Sequence, residues 1–339
     1  MDHRPADARE RLTRFLERAA GTRAEVLAWE PLTGGAIQEN VAVTVRLEGG
    51  AQAGTHRWVL RSDAPSGVAV SRSRREEFLL LTAARQAGVA VPRPLWLAED
   101  GDGPAFFLME FVPGIAAGHR LAKDDALVPD RAALAAQLGE NLARVHSVRP
   151  PAPGLEFLGT PPENPPVERV AAYRRGLDAL GEAGVNPVLE WGLRWCERHA
   201  PIPHPAVLLH RDYRTGNYLV RDGRLAAVLD WEFAGWGDPR EDIGWMFARC
   251  WRFGRADRVA GGVGPAEAFL AAYARASGRA VSLAETHYWQ VMAHLRWAVI
   301  ALQQAERHRS GAQPSLELAL TAHIVPELEW EILELTKGT

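Results

Sequence analysis

A hairpin signal around Asp222-Gly223 places the strongest constraint on the fold of this chain. Two strand-like runs, Tyr218–Arg221 and Leu225–Leu229, flank the pair, and an Asp-Gly pair between such runs is a strong indication of a tight β-turn. A turn centred there pairs position 217 with about 228 and position 230 with about 215. We therefore expect Asn217 and Asp230 to lie close together at the open end of one β-hairpin.

Asp212 lies just before the same end of the hairpin, after the short apolar strand candidate Val207–Leu209. Three oxygen-bearing side chains would then converge, and hard oxygen ligands suit Mg²⁺. Phosphoryl transfer requires positioned metal ions, charge neutralisation and a group that orients the attacking hydroxyl. We expect Asn217 and Asp230 to hold Mg²⁺ against the phosphates of ATP, and Asp212 to take the proton of the acceptor hydroxyl.

Each of these residues also has an ordinary structural interpretation. Asp212 could cap a turn, Asn217 could begin a strand and Asp230 could end one. The joint spacing H-x-D-x4-N, followed by a hairpin and an aspartate, is that of a kinase catalytic loop. The combination therefore favours a phosphotransferase, whereas one such residue alone would not.

Composition and charge limit the other classes of function. The 339 residues carry a formal net charge of −3, and no basic excess or charged block suggests a nucleic-acid partner. Cys196 and Cys250 are the only cysteines, and their spacing argues against a disulfide framework or a zinc site. The charged N-terminal segment has no apolar signal core, and no apolar run reaches ~18 residues. We therefore expect a cytoplasmic protein with no membrane span.

Hydrophobic periodicity predicts an α+β chain with two domains. Residues 1–111 contain about five strand candidates and one main internal helix, Ser73–Ala87. Residues 112–339 are mainly helical, with apolar stripes on Arg131–His146 and Glu285–Glu306. The proline-rich segment Pro150–Pro166 is expected to be a loop, because proline lacks a backbone donor.

The stretch from His210 to Trp245 resembles the aminoglycoside/choline kinase-like phosphotransferase family. The family's loop H-G-D-x4-N is matched by His210-Arg211-Asp212 with Asn217, where arginine replaces the common glycine. Its metal-binding D-x-E is matched by Asp230-Trp231-Glu232, and its G-D-P-x3-D-I element ends at Asp242-Ile243. The resemblance implies that Asp212 is catalytic, that Asn217 and Asp230 bind the metal, and that His210 and Asp242 support the loop.

The same resemblance implies a bilobal protein kinase-like fold and dependence on ATP and Mg²⁺. The small lobe would bind the nucleotide through an antiparallel sheet of about five strands and one main helix. The large, mostly helical lobe would carry the catalytic β-hairpin and the substrate site.

In the small lobe the resemblance implies three features that contact the nucleotide and one carboxylate that pairs with one of them. Gly34-Gly35 resembles the turn over the phosphates, although an ordinary hairpin would suit the pair equally. The segment that contains Glu110 and Val112 is similar to the hinge that binds adenine through backbone groups. Arg61 stands where the family commonly has a lysine that touches the α/β-phosphates, and the surrounding V-L-R pattern resembles members associated with acyl-CoA dehydrogenases. Glu77 best fits the carboxylate that pairs with Arg61, with Glu76 as the second choice.

The acceptor and the oligomeric state are not specified by these motifs. Because the C-terminal helices lack a cluster of acidic residues, a neutral or anionic hydroxylated small molecule, such as a hydroxyacyl compound, fits as well as an aminoglycoside. A protein kinase is disfavoured, because no D-F-G or A-P-E motif follows Asp230. A nucleotide-binding pseudokinase or regulatory protein is the alternative; Arg61 supports it, and the intact Asp212, Asn217 and Asp230 oppose it.

Overall fold

The computed structural model describes residues 4–32, 38–63, 72–99 and 104–338. The chain divides into two compact units, and each is described by itself. The first comprises Met1–Gln86 and Val91–Pro113, and the second comprises Ala87–Ala90 and Gly114–Thr339. Gly34 and Gly35 lie outside the described residues.

The first unit is built around an antiparallel sheet. Its elements are α1 (Arg4–Ala20), β1 (Ala24–Pro31), β2 (Gln38–Leu47), β3 (Gly54–Asp63), α2 (Arg74–Gln86), β4 (Pro94–Ala98) and β5 (Phe106–Glu110). The strands are ordered β1-β2-β3-β5-β4, and every neighbouring pair is antiparallel. Val43 and Val45 of β2 are fully buried and share a core with Leu12 and Leu16 of α1. The predicted five-stranded antiparallel sheet is confirmed.

The second unit is mainly helical. Its elements are α3 (Gly118–Lys123), α4 (Arg131–Val145), α5 (Pro165–Asp178), α6 (Pro187–Arg198), β6 (Val207–Leu209), β7 (Tyr218–Arg221), β8 (Arg224–Val228), β9 (Gly235–Gly237), α7 (Arg240–Phe247), α8 (Ala266–Ser277), α9 (His287–Arg309), α10 (Leu316–Thr321) and α11 (Val325–Thr336). In the core, Val291 and Leu295 of α9 pack with Leu193 of α6 and Ile332 of α11. No helix among the described residues is long and apolar enough to cross a membrane.

The proline-rich segment is only partly the loop that the sequence predicts. Pro165 and Pro166 begin α5, and the side chain of Asn164 caps this helix by accepting a hydrogen bond from the amide of Val167 at 3.4 Å. Proline is tolerated in the first helical turn, because the amides there have no intrahelical partner. The expected loop over Pro150–Pro166 is therefore wrong at its C-terminal end, where a helix begins.

Two short ribbons in the second unit determine the position of the predicted loop. Strand β6 pairs with β9, and β7 pairs with β8, both antiparallel. All three residues of β6 are completely buried, so the strand is fixed in the core up to His210. The loop from His210 to Asn217 then connects two anchored strands.

Candidate active site

Asp212 and Asn217 are in direct contact within this loop. The Nδ2 of Asn217 donates to Oδ2 of Asp212 and, at 3.0 Å, to the main-chain carbonyl of the same residue. Both side chains are buried. The structure therefore brings together two of the three side chains that the spacing predicts to converge.

The hairpin has the expected turn but a register displaced by one residue. Asp222 and Gly223 both have positive φ, 52° and 72°, as a type I′ turn requires. Val220 pairs with Leu225, but Leu219 pairs with Ala227, so Ala226 has no partner. Beyond this β-bulge, the amide of Leu229 donates to the carbonyl of Asn217 at 2.8 Å. Asn217 thus lies opposite 229, where an unbroken ladder predicts about 228.

Asp230 follows directly after this paired residue. Its φ is 65°, a left-handed conformation that costs a non-glycine residue of order 1–3 kcal/mol and that is frequent at functional sites. The preceding residue, Leu229, is bonded to the loop on both sides, through its amide to Asn217 and through its carbonyl to His210. The main chain therefore fixes Asp230 beside the loop that carries Asp212.

His210 is a neutral imidazole that closes the loop. Its Nε2 lies 2.9 Å from the carbonyl of Leu229, and its Nδ1 lies 3.1 Å from the amide of Asp212. A carbonyl can only accept and an amide can only donate, so Nε2 carries the proton and Nδ1 is the acceptor. Burial lowers the pKa of His210 despite the nearby carboxylates, which agrees with this tautomer.

Asp242 braces the loop from the first turn of α7. Its Oδ2 accepts from the amide of His210 at 2.8 Å, and its Oδ1 accepts from the amide of Arg211 at 2.7 Å. His146 donates to the same carboxylate at 3.2 Å. The side chain of Asp242 is completely buried, so these donors replace the water it has lost. Arg211, held in this way, has a φ of 63°, a conformation that suits glycine better.

The surroundings of Asp212 keep its carboxylate ionised. Burial alone would raise the pKa of Asp212, but the positive charges of Arg214 and Arg296 outweigh it and lower that pKa. Oδ1 accepts hydrogen bonds from Nε1 of Trp245 at 2.8 Å and from Nε of Arg214 at 3.1 Å. The group is thus a desolvated, oriented carboxylate, which can accept a proton without first losing a water shell.

Trp245, Arg214 and Arg296 are absent from the site that the sequence predicts. Trp245 could have been found, because it lies three positions after Asp242 on a helix and therefore on the same face. Arg214 lies in the predicted loop, two residues after Asp212. Arg296 comes from α9 and has no local signal, since only the tertiary fold brings it to the loop.

In the first unit, Arg61 pairs with Glu77 in a buried ion pair. The Nε of Arg61 lies 2.7 Å from Oε1 of Glu77, and its Nη1 donates to Oδ1 of Asn40 at 3.2 Å. Arg74 binds the other carboxylate oxygen of Glu77. Glu76 instead caps α2, because its carboxylate accepts from the amide of Ser73 at 2.9 Å. Of the two carboxylates considered as partners for Arg61, the structure therefore pairs Glu77.

Glu110 and Val112 lie at the end of β5 and just beyond it. The amide of Glu110 donates to the carbonyl of Arg93 at 2.9 Å, so this amide already has a partner. The side chain of Glu110 is exposed, and that of Val112 is half-buried. Any recognition by these residues would use their remaining main-chain groups.

A divalent cation fits the oxygen donors beside the loop. Among the described residues, no group of three or more histidine, cysteine, aspartate or glutamate side chains could hold a metal. The predicted metal ligands are the carboxylate of Asp230 and the carboxamide of Asn217, whose amide nitrogen donates to Asp212. Mg²⁺ takes one or two protein carboxylates together with waters and substrate phosphates. This donor set suits Mg²⁺ bound with a nucleotide and does not suit a dedicated protein cage.

The sequence profile of the family described as "Phosphotransferase enzyme family" (APH) matches residues 28–293. Acyl-CoA dehydrogenase family member 10 of Mus musculus is 32% identical over 187 residues, which cover 53% of this chain and 16% of that protein. Acyl-CoA dehydrogenase family member 11 of Rattus norvegicus is 25% identical over 306 residues, or 85% of this chain and 38% of that protein. The chain therefore spans well under half the length of these relatives.

A candidate aminoglycoside phosphotransferase from Ralstonia eutropha has a similar solved structure. It aligns with a TM-score of 0.75 at 21% identity, over 97% of this chain and 98% of that chain. At this identity the likeness concerns the fold, and it confirms the expected α+β protein kinase-like fold.

Proposed function

The chain belongs to the Phosphotransferase enzyme family, and on that premise we propose that it transfers the γ-phosphoryl group of ATP, with Mg²⁺, to a hydroxyl group of a small molecule. The observation that carries this proposal is the contact between Asp212 and Asn217 in a buried loop whose aspartate is held ionised. Such a loop needs to supply only orientation, a proton acceptor and metal ligands.

In the proposed reaction, Asp212 is the residue that acts on the acceptor. The acceptor oxygen forms a bond to the γ-phosphorus while the bond to the β-bridging oxygen breaks, and ADP leaves. The hydroxyl proton passes to the carboxylate of Asp212. Its hydrogen bonds from Trp245 and Arg214 fix the orientation of that carboxylate, and orientation supplies much of the rate enhancement in such reactions.

Asn217 and Asp230 are the residues that would hold Mg²⁺ beside this carboxylate. Bound Mg²⁺ supplies neutralisation of charge on the phosphates. His210 and Asp242 hold the main chain of the loop through the four contacts described above. These two residues therefore act on the loop and not on the substrate.

We propose that the nucleotide is bound by residues of the segment 1–111 and by the adjoining Val112. Arg61, held in place by Glu77, would contact the phosphates, and Gly34 and Gly35 would form the turn over them. The amide of Glu110 is occupied, so adenine would be recognised by the carbonyl of Glu110 and the amide of Val112. Residues 112–339 would then bind the acceptor and carry the catalytic loop.

The acceptor proposed is a neutral or anionic hydroxylated small molecule, with hydroxyacyl compounds as the first class to test. Two arginines, Arg214 and Arg296, lie close enough to Asp212 to lower its pKa. These two positive charges beside Asp212 would oppose the binding of a polycationic acceptor such as an aminoglycoside. The two relatives are named as acyl-CoA dehydrogenase family members, which is a second reason to test hydroxyacyl compounds first.

The test is a screen for ADP release from Mg·ATP with hydroxyacyl thioesters, other hydroxylated metabolites and aminoglycosides. We expect stimulated release with one acceptor class and its loss in Asp212→Ala. Thermal stabilisation by Mg·ATP should persist in that variant, because ligand binding to the folded state raises its stability by mass action. Equal turnover in Asp212→Ala would remove that residue from its role. Stabilisation by Mg·ATP without any turnover would instead favour a nucleotide-binding regulatory protein.

A further inference from the structure

Arg296 contacts the catalytic loop from a distant part of the chain. Its Nη1 donates a hydrogen bond to the carbonyl of Arg211, 85 positions earlier. Arg211 directly precedes Asp212, so this carbonyl belongs to the peptide that joins the two residues. A guanidinium on α9 therefore holds the main chain immediately beside the catalytic carboxylate.

The same guanidinium lies against two aromatic rings near the loop. Its Cζ is 4.4 Å from the ring centroid of Trp245 and 5.7 Å from that of Phe233. At these distances the positive charge is attracted to the ring faces. Because Trp245 donates to the Asp212 carboxylate, Arg296 supports Asp212 through two sets of contacts, one with the main chain and one with the indole, in addition to the effect of its charge.

The peptide between Arg211 and Asp212 needs such restraint. Arg211 is held at a φ of 63°, a left-handed conformation that persists in a non-glycine residue only when its surroundings over-determine it. Asp242 binds the amide of Arg211 at 2.7 Å, and Arg296 binds its carbonyl. Together they restrain the main-chain amide and carbonyl of Arg211. This restraint fixes the direction in which the main chain continues to Asp212.

We propose that Arg296 is a positioning residue, which holds the Arg211 carbonyl and backs Trp245 so that the Asp212 carboxylate keeps a single orientation. The effect on catalysis rests on the function proposed above, whereas the effect on the loop does not. Arg296 also lies near Glu241 and Tyr173, so a neutral substitution changes local charge as well as contacts. A lysine variant, which keeps the charge, is therefore part of the test.

The first measurement is hydrogen–deuterium exchange of the peptide that spans residues 207–217, without any ligand. We expect faster exchange in Arg296→Met than in the wild type, with an intermediate rate in Arg296→Lys, because an ammonium can bind the carbonyl but lacks the planar stacking group. Arg309→Met is the matched control, since Arg309 lies on the same helix and is largely exposed. This control should exchange like the wild type.

The second measurement is steady-state ATP turnover with the acceptor found in the screen. We expect Arg296→Met to lower kcat about a hundredfold with little change in the KM for ATP, as misplacement of a reacting group does, and Arg296→Lys to recover part of the loss. If Arg296→Met exchanges at the wild-type rate and has the wild-type kcat, the proposal is overturned. If the methionine variant does not fold, a wild-type exchange rate and kcat in Arg296→Lys would overturn it instead. If the wild type shows no turnover, the proposed function fails, but the exchange experiment still decides whether Arg296 holds the loop.

Discussion

The indole Nε1 of Trp245 donates a hydrogen bond of 2.8 Å to Oδ1 of Asp212. The bond connects α7 to the loop 210–217 at the carboxylate that we propose to be catalytic, while Asp242, one turn earlier on α7, binds the main chain of the same loop. One short helix thus orients both the backbone and the side chain of the site. Because all eight residues of α7 are buried, this helix has little freedom to move.

We expect Trp245→Phe to lower ATP turnover by about tenfold to a hundredfold. A hydrogen bond to a charged group contributes about 1.5–3 kcal/mol, and each 1.36 kcal/mol lost from the transition state is about a tenfold loss in rate. The measurement is kcat with saturating Mg·ATP. Trp289→Phe is the control, because the Nε1 of Trp289 is buried with no partner among the described residues. Equal losses in both variants would mean that ring volume, and not the hydrogen bond, is responsible.

Glu77→Gln should destabilise the protein by about 3–5 kcal/mol, as the loss of one member of a buried ion pair does. The carboxylate of Glu77 binds two guanidinium groups, those of Arg61 and Arg74, and the neutral amide would remove the buried negative charge that they share. The measurement is urea-induced unfolding.

The chain offers as a control an ion pair of the same length at the surface. Arg57 pairs with Glu30 at the same distance of 2.7 Å, but both side chains are about half exposed. Glu30→Gln should therefore cost at most about 1 kcal/mol. A similar cost for the two substitutions would show that burial of the Arg61–Glu77 pair does not matter.

Arg61→Lys should retain thermal stabilisation by Mg·ATP, and Arg61→Met should lose it. Lysine keeps a positive charge that can reach Glu77 and a phosphate, although it loses the fork geometry of arginine. The measurement is the rise in Tm with increasing Mg·ATP, which reports binding by mass action. Arg57→Met, on the same strand, should keep the full rise. Undiminished stabilisation in Arg61→Met would exclude Arg61 from the nucleotide site.

Arg211→Gly should be more stable than Arg211→Ala by about 1 kcal/mol, because a left-handed φ of 63° penalises any residue with a Cβ. Both variants lose the hydrogen bond from Arg211 to the carbonyl of Trp236, so that loss cancels in the comparison. At Arg221, an exposed position on β7, the order should reverse, since glycine there loses more conformational entropy. Unfolding free energies of the four variants test this; the same order at both positions would refute the strain argument.

Asp242→Asn should cost about 2–3 kcal/mol of stability, because one carboxylate oxygen becomes an amide that faces a donor. The amides of His210 and Arg211 approach the two different oxygens, so neither orientation of the asparagine satisfies both. Asp222→Asn is the control: its side chain is exposed, and asparagine suits its turn. Thermal or urea unfolding that finds no difference between the two variants would contradict the bracing role of Asp242.

Sequence reasoning succeeded where the signal was local. The Asp222-Gly223 turn and the strands beside it predict the hairpin, and the spacing of Asp212 and Asn217 predicts a loop short enough for their contact. The strand register differs from the predicted one by one residue, because nothing in Leu225-Ala226-Ala227 indicates which residue forms the β-bulge. The position of the bulge depends on packing against residues that are distant in the sequence.

The supporting residues were harder to predict for the same reason. Helix α7 is buried on all sides, so it shows no amphipathic stripe from which its contacts could be inferred. Its charged residues, Arg240, Glu241 and Asp242, suggest a surface but are buried. Arg296 was missed because only the tertiary structure brings α9 to the loop.

The bulge at Ala226 adds one residue to the stretch of chain between Asn217 and Asp230. An ideal ladder from the same turn would place residue 228 at the point where Leu229 now binds Asn217 and His210. A chain that lacked Ala226 would reach the same point with no bulge, and the carbonyl of Leu229 would still face His210. The separation of the two proposed metal ligands along the chain therefore depends on this bulge. An alignment that places a gap in this hairpin should keep the carbonyl that accepts from His210 at an equivalent position.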